Sequence, residues 1–78
     1  MDVIVTLRRG IYLRPVPIIE GDASLLPVMV RGQHFIVVET RRIGGYTWGK
    51  NADNQWMVLA NGKNPWVVLA NGKPLPLG

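Results

Sequence analysis

Hydrophobic residues in this sequence come in short runs broken by glycine, proline or polar pairs, and they never recur with the spacing of an amphipathic helix. Val3 to Leu7 is apolar except for Thr6, and Ile11-Tyr12-Leu13 follows Gly10. Pro15 and Pro17 then exclude a helix and extend the chain. Glu20-Gly21-Asp22 is a turn signal, and Asp22 to Leu26 has room for at most one helical turn. Gln33 to Thr40 reads as a strand through Phe35-Ile36-Val37-Val38. Arg41 to Gly45 reads as a loop and Tyr46-Thr47-Trp48 as a short aromatic strand. Gly49 to Asn54 reads as a polar turn, and Gln55 to Ala60 as a strand.

Asn61-Gly62 is a strong hairpin signal, because both residues tolerate the positive φ of a type I′ turn. A partner strand is expected from Asn64 or Trp66 to Leu69. The segments WMVLANGK, from Trp56, and WVVLANGK, from Trp66, form a near-repeat. Two copies are too few to stack as a solenoid, so the repeat reads as a β-meander with two similar turns. The pattern predicts an all-β fold, a small barrel of about five to seven short strands, because closure removes exposed edges. Residues 1–70 are expected to form this one domain, and residues 71–78 an extended tail, edge-bound or frayed.

Composition narrows the chemistry. Hydrophobic residues make 47% of the 78 positions against 18% charged, which is enough apolar surface to fold. The absence of cysteine excludes disulfide staples, thiol catalysis and Cys-ligated metal. A single histidine, His34, excludes a multi-histidine metal site within one chain. The formal charge of +4 is a mild bias toward acidic partners. No apolar run is long enough for a membrane span, and the first residues lack the pattern of a signal peptide. Ser24, His34 and an aspartate could in principle assemble for catalysis, but Asp22 and Ser24 fit turn chemistry and His34 fits an alternating strand. Glu20 and Asp22 read as a solvated loop rather than half a metal site. No enzyme activity, metal or cofactor is therefore expected.

The aromatic residues are the more informative set. Tyr12, Tyr46, Trp48, Trp56 and Trp66 are large flat surfaces in a small domain, and three tryptophans are hard to bury together. Trp56 and Val58 point one way from their strand, Met57 and Leu59 the other. Both faces are apolar, so Trp56 and Trp66 can each be core or surface. Tyr46 and Trp48, flanked by glycines, are equally open. Beside Arg14, Arg41 and Arg42, exposed rings would suit a glycan chain with acidic stem peptides, a proline-rich peptide, or single-stranded nucleic acid.

The order of these features resembles bacterial Src-homology-3-like domains. Leu13-Arg14-Pro15-Val16-Pro17 is similar to the segment after the family's first strand, and Leu26 to Val38 to its next strand step. Asn51 to Val58 and Asn61 to Val67 resemble its last two, tryptophan-bearing strands. The likeness runs from about Val5 to Leu69. It departs at Pro65, where glycine is usual, at Pro15-Val16, and in the added segment Gly44 to Lys50. The resemblance implies a Src-homology-3-like barrel that anchors a parent enzyme or phage protein to peptidoglycan or another envelope glycan. The expected contacts are Tyr12, Arg14, Arg41, Tyr46, Trp48, Trp56 and Trp66, in a groove between the loop after Pro15 and the Arg41 to Lys50 segment. A protein-interaction or self-assembling barrel, with a protein, peptide or second copy as partner, is the alternative. A nucleic-acid-binding barrel is the third reading. The compartment follows the parent chain: envelope or extracellular if that chain is secreted, cytoplasmic otherwise.

Overall fold

A computed structural model describes residues 2–19 and 23–76, so the expected turn at Glu20-Gly21-Asp22 lies outside the described residues. The fold is all-β. Its strands are β1 (Val3–Leu7), β2 (Ile11–Tyr12), β3 (Val28–Met29), β4 (His34–Val37), β5 (Glu39–Ile43), β6 (Tyr46–Lys50), β7 (Trp56–Asn61), β8 (Asn64–Pro65) and β9 (Val67–Leu69). Among the described residues, a 3-10 turn, Ala23–Leu25, falls within the stretch predicted to have room for one turn of helix. The strands form three antiparallel sheets, in the orders β4-β1-β9, β2-β3 and β5-β6-β7-β8. They pack in a barrel-like manner without joining into one closed hydrogen-bonded ladder.

The segment Gln33 to Thr40, expected as one strand, divides at Val38. β4 pairs with β1, Val5 opposite Phe35, whereas β5 pairs with β6, Arg41 opposite Trp48. A bend is needed for one run of chain to serve two sheets, and the Val38 N–H marks it by donating to the Lys50 carbonyl at 2.7 Å. Arg41 to Ile43 is accordingly strand, not loop. Only Gly44 and Gly45 turn the hairpin, with φ of 61° and 82°, a left-handed pair that strongly favours glycine. Gly49 and Lys50 stay in β6, and the polar turn begins at Asn51.

The hairpin after β7 turns one residue later than predicted. Asn61 pairs with Asn64, leaving Gly62 and Lys63 as the turn, and only Gly62 takes a positive φ, of 58°. The second copy of the repeat does not continue the meander. β8 stays on β7, but β9 crosses to pair with β1, Thr6 opposite Val68. The tail is edge-bound: Val68 bridges Pro74, and Leu75 packs against the core.

Two hydrophobic clusters result. The larger lies between the sheets and includes Val5, Leu7, Phe35, Val37, Met57, Leu59 and Val67. The smaller lies on the opposite face of β6 and β7, where Trp48, Trp56 and Val58 are buried and Tyr46 and Trp66 pack over them. β7 is therefore buried on both faces, which accounts for its lack of alternation in the sequence.

Candidate functional site

The smaller cluster forms the floor of a surface furrow. Pro17, Ile18 and Ile19, in the loop after Pro15, face Ile43, Gly44, Tyr46 and Trp48 across a depression of about 250 Å³. Ile19 and Tyr46 are shared with the next depression, of about 240 Å³, whose walls include Arg9, Tyr12, Arg14, Val58 and Trp66. Arg9 and Trp66 are shared in turn with a third, of about 230 Å³, that ends at Arg8, Asn64 and Pro65. The furrow thus runs from the β5–β6 turn to β8.

Backbone pairing positions its walls. Arg14 and Trp56 exchange two main-chain hydrogen bonds, each of 2.8 Å, which pins the Pro15 loop to β7. The Arg8 N–H donates to the Trp66 carbonyl at 2.9 Å and sets the arginine pair beside that ring. Tyr46 lies 6.4 Å from Trp48, tilted, and 6.4 Å from Trp66, edge to face, geometries that suit the quadrupoles of the rings. The Arg9 guanidinium sits 4.2 Å from the centre of the Trp66 ring, and Arg14 lies 5.7 Å from that of Tyr12. The Arg14 Nη1 also makes a long hydrogen bond, 3.4 Å, to the Ile18 carbonyl.

Of the seven residues singled out by sequence, Tyr12, Arg14, Tyr46 and Trp66 meet in this furrow. Trp48 lines it too, but is only 1% exposed, so it supports Tyr46 rather than offering a face to a ligand. Trp56 is buried beneath Arg41 and Lys50, 5.5 and 5.7 Å from its ring centre. Arg41 lies elsewhere, in a depression with Thr40, Arg42 and the tail residues Leu75 and Pro76. Its guanidinium Nε donates to Glu39 at 2.8 Å, and Lys50 approaches the same carboxylate at 3.4 Å. The hydrogen bond from Arg41, aided by the charge of Lys50, holds the Glu39 carboxyl below its ordinary pKa against the opposing effect of desolvation.

Arg9 and Ile19 are wall residues that sequence reasoning passed over. Arg8-Arg9 is visible as a basic pair, but its contact with Trp66 joins the two ends of the chain and leaves no local signal. Among the described residues, Asp2, Glu39 and Asp53 are the acids, and none lines the furrow. The site therefore presents rings and cations without a carboxylate from those residues, an arrangement for binding ring faces and anionic groups. Among the described residues, its lining holds no nucleophile beside a base. No family model, curated protein or solved structure matches the chain.

Proposed function

We propose that the chain is a non-catalytic binding module whose furrow holds a segment of envelope polymer, with peptidoglycan as the ligand class. The observation that carries this reading is the continuity of the furrow: Tyr12, Tyr46 and Trp66 lie along one track with Arg8, Arg9 and Arg14. Sugar rings would stack on the aromatic walls, and the carboxylates of stem peptides would accept charge-assisted hydrogen bonds from the arginines. The resemblance to bacterial Src-homology-3-like domains supports the same ligand class. A shallow, open furrow favours an extended chain over a small enclosed molecule.

Co-sedimentation with purified cell-wall sacculi tests the proposal. The wild-type chain is expected in the pellet, enriched over a matched barrel of equal charge. Arg9→Glu with Arg14→Glu is expected to weaken binding by at least about tenfold, since one charge-assisted hydrogen bond is worth about 1.5–3 kcal/mol. Retention of the far-ultraviolet circular dichroism spectrum separates this loss from unfolding. No enrichment of the wild type, or equal pelleting of the double variant, would overturn the reading.

A further inference from the structure

We propose that the free edge of β4 is a self-association surface, to which a second copy of this chain adds its own β4 antiparallel about a two-fold axis. The argument begins with where the backbone of β4 points. The Leu7 N–H donates to the Gln33 carbonyl at 2.9 Å, while on the other side of β1 the Ala70 N–H donates to Ile4 and the Arg8 N–H to Trp66. Hydrogen-bonded pairs alternate along an antiparallel ladder. Odd-numbered residues of β1 therefore bond to β4, and even-numbered ones to β9. Phe35 and Val37 face Val5 and Val3 in the bonded positions, so His34 and Ile36 direct their N–H and C=O groups away from β1.

Among the described residues, none bonds to those groups. The next N–H on that edge, of Val38, is already donated to Lys50, which limits the open stretch to His34 through Ile36. Both residues are exposed, Ile36 at 50%.

The other long edges are guarded in ways that deter pairing. β5 presents Glu39, Arg41 and Arg42. β8 ends in Pro65, which has no N–H to give. β9 is covered by the tail, through the Leu69 N–H on the Lys73 carbonyl at 2.9 Å and the bridge from Val68 to Pro74. β4, by contrast, is not covered by any described residue and carries no lysine, arginine or carboxylate, no proline and no register shift along His34-Phe35-Ile36-Val37.

That edge is complementary to itself. With His34 opposite Ile36 of the second copy and Phe35 on the axis, the two strands can exchange about four main-chain hydrogen bonds. The same register brings Arg31, exposed in the turn before β4, to the level of Glu39 of the second copy, at the bend after it. A strand running antiparallel with a basic residue before it and an acid after it is what this edge selects. The chain's own β4 meets that description.

Sedimentation velocity from about 10 μM to about 1 mM, with amide hydrogen exchange at the two ends of that range, tests the proposal. The average mass is expected to rise toward two chains, with His34 and Ile36 amides gaining protection as concentration rises. Ile36→Lys, at an outward position outside the core, is expected to weaken dimerisation by at least about tenfold. Val28→Lys, on exposed β3, is the control and is expected to dimerise as the wild type does. A wild type that stays monomeric would overturn the proposal. So would a dimer whose His34 and Ile36 exchange does not depend on concentration, or an Ile36→Lys variant that dimerises normally. Failure of sacculus binding leaves this test unaffected, because β4 contributes nothing to the furrow.

Discussion

Glu39 shows how a single side chain gathers part of the protein's positive charge into ion pairs. Arg41 and Lys50 both contact its carboxylate, whereas among the described residues Arg9 lies against a ring and Arg14 against a ring and a carbonyl. Its lowered pKa makes a signed prediction. The stabilisation is present above the ordinary carboxylate pKa of 4.5 and is lost as pH falls through the lower, folded value. The pair is solvent-exposed, so the effect is small. Glu39→Gln is expected to flatten the fall in thermal midpoint between about pH 5 and about pH 3. Wild-type and variant curves that fall in parallel over that window would show that the ion pairs contribute nothing. At this scale the sequence exposed residue types but not their partners. Arg14, Tyr12 and Tyr46 stood out as ring-and-cation candidates, yet Trp48 and Tyr46 were indistinguishable. Two positions apart on a strand, they share a face, yet Trp48 is buried and Tyr46 half-buried, a difference set by tertiary packing rather than by the alternation of the strand.

Among elements, the β6–β7 pair decides the shape of the furrow floor. The register shifts after Thr47: it pairs with Ala60, while Trp48 pairs with Val58, so Leu59 is the extra residue of a bulge. Its carbonyl accepts from the Trp66 N–H at 2.8 Å, and its side chain lies over Gly49 in the core. A Cβ at Gly49 would stand 2.8 Å from Leu59 Cδ1 and 3.1 Å from Cγ. Leu59 is only 1% exposed, and its Cγ as well as both methyls would have to shift to admit that atom. Gly49→Ala is expected to cost about 1–3 kcal/mol in urea unfolding, by overpacking. Adding Leu59→Ala is expected to give a double variant less destabilised than the sum of the singles, since the two share one space. A neutral Gly49→Ala would refute this account of the bulge. The strands themselves were readable where glycine and apolar runs agree, as at β1 and β7. The bend at Val38 was not, because Phe35 to Val38 is apolar throughout and the switch between sheets is set by long-range pairing with β1 and β6.

For the whole molecule, the apolar excess has two destinations. One is the second cluster, which builds the furrow. The other remains on the surface, where Ile4 and Ile36, opposite each other in β1 and β4, are each about half exposed. The all-β class was legible from the density of glycine and proline and from the short runs. The crossing of β9 to β1 was not, because the repeat makes residues 66–69 look like another turn of the same meander. No helix among the described residues is long and apolar enough to cross a membrane. The central claim is that ligand enters along Tyr12, Tyr46 and Trp66. An NMR titration with soluble peptidoglycan fragments tests it most directly. The account predicts shifts at the Trp66 indole N–H and at the Tyr12, Arg14 and Tyr46 amides, saturating together, while the Ile36 amide stays in place. Shifts confined to the opposite end, around Arg41 and Leu75, or none at all at millimolar fragment, would contradict it.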